Sequence, residues 1–198
     1  GMGAYSPAPV VTPEVHARIM AQVIEPTVAG MAADGYPYEG FLYAGLMISP
    51  EGAPRVIEFN CRFGDPEAQP VMMRLRSDLI DLCRSALTGD LESTTLDWDP
   101  RVALGVVMAA GGYPGDYRKG DAISGLESGD GDGLKTFHAG TAVVDGNVVT
   151  NGGRVLCVVG LGDDVAQAQQ RAYQGVAGIS WRDHYYRKDI GYRAINRS

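Results

Sequence analysis

The chain has 198 residues, enough for one or two domains with a substantial core. Its net charge of −7 argues against a general affinity for nucleic acid or anionic membranes, and no apolar run reaches the roughly 18 residues of a membrane span. Hydrophobic residues at 45% and charged residues at 21% are ordinary for a globular protein. We therefore expect small-molecule partners, with neither nucleic acid nor a membrane among them.

Three cysteines, Cys61, Cys83 and Cys157, are dispersed along the chain without a Cys-x-x-Cys pair. This pattern is typical of proteins from a reducing compartment, and it offers too few neighbouring ligands for a zinc site. We expect a cytoplasmic protein in which Cys61 and Cys157 are packing residues on apolar strand faces.

The first forty residues predict a loop followed by a helix. Residues 1–11 are punctuated by Gly and Pro and are interpreted as a loop. Thr12-Pro13-Glu14 then has the pattern of a helix start, with Thr as the cap and Pro in the first turn. Pro26 is expected to kink the helix before it ends near Asp34-Gly35. The apolar stripe of this helix comprises Val15, Ile19, Val23 and Ile24.

Residues 41–48 and 55–60 predict two antiparallel strands joined by a turn at 49–52. Because side chains alternate along a strand, the second strand and the residues after it would direct two different sets of side chains to its two faces. Ile57, Phe59 and Cys61 form an apolar set that can bury in a core, whereas Glu58, Asn60 and Arg62 form a polar set.

The polar set has the chemistry of a metal and phosphate site. Alternate residues of a strand lie about 7 Å apart, and the oxygens of Glu58 and Asn60 are hard ligands that suit Mg²⁺. Arg62 can clamp a phosphate or carboxylate with its planar fork. The alternative is an edge strand whose polar face is simply solvated.

Asp65-Pro66-Glu67 has the composition of a helix start, and a helix N-terminus beside Arg62 would favour anions. The alternative is that Asp65 only caps. A further helix is expected from Ser77-Asp78 to about Gly89, with a buried stripe of Leu79, Leu82 and Ala86.

The polar stretch 91–100 is interpreted as a linker, which divides the chain into domains at 1–98 and 101–198. The apolar run 101–110 predicts a central strand, and residues 111–115 and 120–135 predict loops. Short strands are expected at 136–138, 142–145, 147–150 and 154–160, before a helix that opens at Asp163-Asp164.

Arg154 follows the Gly-rich turn 151–153, where backbone N–H groups can converge. We interpret Arg154 as a candidate anion ligand, with a salt-bridged surface arginine as the alternative. The charged segment 187–193 is either a cover for the active-site cleft or a solvated tail.

Several of these stretches together resemble one enzyme family. The Glu-x-Asn-x-Arg strand resembles the metal-binding strand of ATP-grasp enzymes, and the run Glu58-Phe-Asn-Cys-Arg-Phe-Gly-Asp-Pro-Glu67 resembles the signature of the phosphoribosylamine–glycine ligase family. The stretches at 1–7, 150–156 and 187–191 are similar to the same family, so the resemblance runs the whole length of the chain.

The resemblance implies an α+β fold: the C-terminal half of an ATP-grasp domain, with an antiparallel sheet and helices, followed by a small mixed α/β domain. It implies an enzyme that uses ATP as co-substrate to join glycine to 5-phosphoribosylamine through a glycyl phosphate in purine biosynthesis. Glu58 and Asn60 would bind Mg²⁺ or Mn²⁺ and, through the metal, the nucleotide. Arg62 would be catalytic and bind substrate, and Gly64, Asp65 and Arg154 would also bind substrate.

The resemblance also implies that a preceding N-terminal portion, with the glycine-rich half of the ATP-grasp domain, is missing, so that this chain alone would be inactive. One departure from the wider ATP-grasp pattern is that residues 41–48 carry no acidic ligand. Two alternatives stay open: an ATP-grasp ligase for another carboxylate and amine, or a non-catalytic binding module.

Overall fold

A computed structural model of the chain describes residues 1–128 and 130–195, apart from the side chain of Ser128. The fold is mixed α/β with antiparallel sheets, as expected. The described residues form two compact units that are interleaved along the sequence. The first unit contains residues 1–7, 65–74 and 99–198, and the second contains residues 8–64 and 75–98. The division into domains 1–98 and 101–198 stays a prediction.

The first unit is built on a four-stranded antiparallel sheet in the order β1-β4-β8-β5. The two central strands are apolar along almost their whole length, because both of their faces are covered. The strands of this unit are β1 (Gly3–Ser6), β4 (Val102–Ala109), β5 (Leu134–His138), β6 (Thr141–Val144), β7 (Asn147–Thr150) and β8 (Arg154–Gly162), of which β6 and β7 form a separate hairpin.

The α-helices of this unit, in the part of the chain that the structure describes, are α3 (Ala68–Arg74), α5 (Val165–Gly178) and α6 (Tyr192–Ile195). Helix α5 begins after Asp164, whose carboxylate accepts a hydrogen bond from the Gln167 amide at 2.7 Å. It buries Ala168, Ala172 and Val176 against the sheet. A Cβ on Gly160 of β8 would lie 2.6 Å from the carbonyl oxygen of Ala168, so the backbones of the helix and the strand approach closely there.

The second unit contains the hairpin of β2 (Tyr43–Ile48) and β3 (Pro54–Asn60), together with α1 (Pro13–Ile19), a π-helical turn (Met20–Ile24), α2 (Glu25–Ala33) and α4 (Leu79–Thr88). The predicted helix start is confirmed, because the Thr12 hydroxyl accepts a hydrogen bond from the Val15 amide at 3.3 Å. The predicted start and end of α4 are also confirmed by the Asp78 cap and by Gly89 in the left-handed region. The turn at 49–52 closes the hairpin as expected.

Several structural expectations are wrong. Part of the predicted loop 1–11 is strand β1, because it pairs with β4, about a hundred residues away in sequence. Asp65 does not cap a helix, since α3 begins only at Ala68. Cys61 is exposed and lies beyond β3, so it is not a packing residue.

The second unit also buries less apolar surface than its pattern predicts. Ile57 is 64% and Phe59 40% exposed, although both lie on the apolar face of β3. Helix α4 has no buried residue, so its expected stripe of Leu79, Leu82 and Ala86 is wrong as a description of burial. The predicted stripe of the first helix is buried only at Val15 and Val23.

The remaining strand predictions are confirmed with small shifts of their ends. The predicted loop 120–135 includes Gly129, which lies outside the described residues, and its last two residues begin β5. No helix in the described part of the chain is both long and apolar enough to cross a membrane.

Candidate metal and substrate site

Glu58 and Asn60 lie side by side on β3. Each is paired with a residue of β2, Glu58 with Gly45 and Asn60 with Tyr43, and the Glu58–Gly45 pair borders a shift in the register of the hairpin. The Asn60 side-chain amide donates a hydrogen bond to Oε1 of Glu58 at 3.2 Å. This bond brings the two side chains into contact and does not use the Asn60 carbonyl oxygen or Oε2 of Glu58. The predicted pairing of these two side chains on one face is confirmed.

Gly45 makes room for the Glu58 side chain. A Cβ at residue 45 would lie 3.0 Å from Cγ of Glu58, closer than such atoms normally approach. The pairing register also shifts between Gly45 and Leu46, as in a β-bulge, which re-aims side chains locally. Sequence reasoning missed Gly45, although a glycine inside an apolar strand is a signal for close approach.

Arg62 is not part of the strand. Pairing ends at Asn60, opposite the first residue of β2, so the chain is free to bend before Arg62. The expectation that Arg62 continues the polar face of the strand is therefore wrong. Its side chain is exposed, and Nη1 donates to the carbonyl oxygen of Phe63 at 2.8 Å. Gly64 follows and is buried.

In the first unit, Asp65 is held by Arg154. Nη2 of Arg154 lies 2.6 Å from Oδ2 of Asp65, and Nη1 donates to the carbonyl oxygens of Asp65 at 3.0 Å and Gly1 at 3.1 Å. The Arg154 side chain is only 25% exposed. The salt-bridged alternative thus describes its observed contacts, whereas its role as a substrate ligand stays a prediction. Sequence reasoning selected both residues but did not foresee that they pair.

Cys157 lies three residues after Arg154 on β8 and is buried. Burial raises the pKa of its thiol to about 12, and the negative charge of Asp65 acts in the same direction while Arg154 opposes it. The thiol is therefore protonated at neutral pH. It is a packing group and not a nucleophile, as its strand position predicts.

The donor set on β3 fits a hard divalent cation that takes few protein ligands. Within residues 1–128 and 130–195, no cluster of three or more His, Cys, Asp or Glu side chains could hold a metal. Glu58 and Asn60, whose side chains contact each other, remain as oxygen donors, and this matches the way Mg²⁺ is bound by one or two protein oxygens together with waters and substrate phosphates. A metal at this site would bind weakly without a nucleotide.

Two family models match the chain. Residues 1–68 match the model of the phosphoribosylglycinamide synthetase ATP-grasp (A) domain, and residues 103–193 match that of the phosphoribosylglycinamide synthetase C domain. Glu58, Asn60 and Arg62 fall within the first match, and Arg154 falls within the second.

Curated relatives match over the whole chain. The chain is 62% identical over 197 residues to a phosphoribosylamine–glycine ligase of Vibrio parahaemolyticus and 63% identical over 198 residues to one of Escherichia coli. In both cases 100% of the chain is matched, but it spans only 46% of the relative.

Solved structures give the same picture of the fold. The crystal structure of a Thermotoga maritima phosphoribosylamine–glycine ligase superposes with a TM-score of 0.82 at 33% identity, covering 96% of this chain and 46% of that one. A Hydrogenobacter thermophilus biotin carboxylase domain, in complex with MgADP, ADP and bicarbonate, superposes with a TM-score of 0.63 at 14% identity. The match covers 93% of this chain and 40% of that one. The second likeness concerns the fold alone.

Proposed function

The chain belongs to the phosphoribosylglycinamide synthetase family, and we propose that it is the C-terminal portion of an enzyme that joins glycine to 5-phosphoribosylamine at the expense of ATP. The observation that carries this proposal is the side-by-side placement of Glu58 and Asn60 on β3, in a stretch that matches the ATP-grasp model of the family. The preceding portion of the protein would supply the rest of the ATP site. The dispersed cysteines favour the cytoplasm as its location.

The proposed reaction has two steps. A carboxylate oxygen of glycine attacks the γ-phosphorus of ATP, and the bond from that phosphorus to the bridging oxygen breaks, which gives glycyl phosphate and ADP. The amine nitrogen of 5-phosphoribosylamine then attacks the carbonyl carbon, and phosphate leaves with the electron pair of the broken carbon–oxygen bond. The amine loses a proton, and the product is glycinamide ribonucleotide.

The first step brings two anions together, so its main requirement is compensation of negative charge. Glu58 and Asn60 would hold Mg²⁺ or Mn²⁺ through their side-chain oxygens. When bound, the metal supplies positive charge to the phosphate oxygens. Glu58 therefore acts as a ligand and not as a general base. Gly45 keeps the space into which the Glu58 side chain extends.

Arg62 is proposed as the catalytic cation. Its exposed guanidinium uses one nitrogen on the Phe63 carbonyl oxygen, so the other nitrogens can contact the transferring phosphoryl group. Gly64 would allow the backbone to approach a substrate closely.

Asp65 and Arg154 are proposed to bind substrate as a pair. Oδ2 of Asp65 is occupied by Arg154, which leaves Oδ1 to accept a hydrogen bond from a substrate amine or hydroxyl. Arg154 fixes the position of that carboxylate through its contacts with the two backbone carbonyls.

The proposal is tested by omitting substrates one at a time from the full-length protein that contains this chain. Continuous turnover of ATP to ADP is expected only when glycine, 5-phosphoribosylamine and a divalent cation are all present with ATP. ADP release that does not depend on glycine, or that another carboxylate supports better, would contradict the assignment of the substrate pair.

A further inference from the structure

One further side chain lies on the face of the hairpin that carries Glu58 and Asn60. Tyr43 of β2 is paired with Asn60, as Gly45 is with Glu58. Directly opposed residues of an antiparallel pair carry their side chains on the same face of the sheet. These four residues therefore form one surface, which we call the metal face, and Tyr43 has the largest side chain on it.

The ring of Tyr43 leans towards Glu58. A Cβ on Gly45 would lie 3.7 Å from Cε1 of Tyr43 and 3.0 Å from Cγ of Glu58, so the two side chains border the same space above Gly45. Tyr43 is half-buried. Its ring thus forms a wall beside the Glu58 side chain on the metal face.

The metal face has a single carboxylate. Of its four residues only Glu58 is acidic, and residues 41–48 contain neither Asp nor Glu. The number of charged ligands is a main determinant of how tightly a site binds a hard divalent cation. One carboxylate and one amide are a small set, so oxygens from a phosphate are needed to complete the shell of the cation.

Position 43 is the place from which a third protein ligand would reach the cation. Opposed residues have Cβ atoms about 5 Å apart, and diagonal neighbours are about 7 to 8 Å apart, within reach of long side chains. Residue 43 is opposed to Asn60 and diagonal to Glu58. A carboxylate at residue 43 would approach a cation held by both of these residues, but the tyrosine ring fills this space instead.

We propose that Tyr43 makes cation binding depend on nucleotide. Its ring occupies the position of a third ligand, so the protein supplies only Glu58 and Asn60, and the cation is held firmly only when nucleotide phosphates supply further oxygens. The cation then enters and leaves together with the nucleotide. The inference rests on the proposed role of Glu58 and Asn60 as metal ligands.

The test is the measurement of Mn²⁺ binding to the full-length protein by electron paramagnetic resonance, with and without ADP. Tyr43→Glu should lower the Kd for Mn²⁺ in the absence of nucleotide at least about tenfold, because a second carboxylate then contacts the cation. Addition of ADP should increase the Mn²⁺ affinity of this variant less than that of the wild type. An unchanged Kd in Tyr43→Glu would overturn the proposal.

Tyr43→Phe separates the ring from its hydroxyl group. This variant keeps the wall above Gly45 and should change the Kd for Mn²⁺, measured with ADP, by less than about twofold. Binding that is weakened about tenfold would make the hydroxyl oxygen itself a ligand and would overturn the proposal. Because the ring stays in place, this measurement decides the question even if Tyr43→Glu does not fold.

Tyr36→Glu is the matched control. Tyr36 belongs to the same unit, is 71% exposed and lies outside both strands of the hairpin. The substitution makes the same chemical change and the same change in net charge, and it should leave the Kd for Mn²⁺ without nucleotide unchanged. Equal tightening by the changes at residues 36 and 43 would assign the effect to overall charge and overturn the proposal.

This inference and the proposed ligase function can fail separately. Tighter Mn²⁺ binding in Tyr43→Glu, with no glycine-dependent turnover of ATP by the wild type, would retain the role of Tyr43 and reject the substrate pair. Glycine-dependent turnover by the wild type, with no tightening in Tyr43→Glu, would retain the ligase and overturn the role of Tyr43.

Discussion

Replacing Arg154 with Gln should destabilise the first unit chiefly through the loss of two bonds to backbone carbonyls, and only secondarily through the loss of its ion pair. Arg154 contacts the carbonyl oxygens of Gly1 and Asp65 as well as the Asp65 carboxylate. Because the Asp65 side chain is 53% exposed, the charge pair itself is expected to contribute only about 0.5 kcal/mol.

The donor of the two hydrogen bonds to the backbone carbonyl oxygens is a cation whose side chain is only 25% exposed. A contribution of about 1 kcal/mol to the free energy of unfolding for each hydrogen bond is a conservative value. Arg154→Gln should therefore lower the free energy of unfolding by about 2 to 2.5 kcal/mol. Asp65→Asn keeps the carbonyl contacts and should lower it by only about 0.5 kcal/mol. A double-mutant cycle should give a coupling energy below about 1 kcal/mol.

Urea unfolding of the full-length protein, followed by a probe in the first unit, measures these changes. Arg118→Gln is the control, since Arg118 is 67% exposed and makes a single ion pair with Asp121 at 3.2 Å. Its effect should stay within about 0.5 kcal/mol. Equal losses of unfolding free energy for Arg154→Gln and Asp65→Asn would refute the reasoning. They would mean that Arg154 stabilises the unit through its ion pair with Asp65 alone and not through the hydrogen bonds to the two carbonyl oxygens.

Two further predictions concern Gly45 and the thiols. Gly45→Ala places a Cβ 3.0 Å from Cγ of Glu58 and should raise the KM for Mg²⁺ about tenfold. Gly30→Ala is the control, because no neighbouring atom lies within 4 Å of its Cβ, and it should leave the KM unchanged. Equal KM values for the two variants would contradict the role of Gly45 in making room for Glu58. At pH 8 a thiol reagent should label exposed Cys61 in the native protein, whereas buried Cys157, with its pKa of about 12, should stay unlabelled until the protein unfolds. Peptide mass spectrometry measures both rates, and similar rates for the two thiols would contradict this expectation.

The local features of the site could be predicted from the sequence. Alternation along a strand depends only on backbone geometry, so Glu58 and Asn60 could be assigned to one face before their hydrogen bond was known. The Thr12 and Asp78 caps are likewise set by residues within three positions of each other.

Features that depend on distant pairing could not be predicted. Strand β1 exists because β4 offers it an edge, and the Gly- and Pro-rich opening of the chain gives no local sign of this. Asp65 has the local pattern of a helix cap, but Arg154, 89 residues away in sequence, binds its carboxylate instead. The apolar pattern of Ile57 and Phe59 predicts a face that can be buried, but both side chains are exposed, because such a pattern does not show whether another segment lies against the face.

The central claim is that Glu58 and Asn60 together hold a divalent cation on β3. It is tested most directly by using electron paramagnetic resonance to measure Mn²⁺ binding to the full-length protein in the presence of ADP. Glu58→Gln should weaken Mn²⁺ binding at least about tenfold and lower turnover by orders of magnitude. Glu51→Gln, a change in the turn of the same hairpin, should do neither. Unchanged Mn²⁺ affinity in Glu58→Gln would contradict the claim.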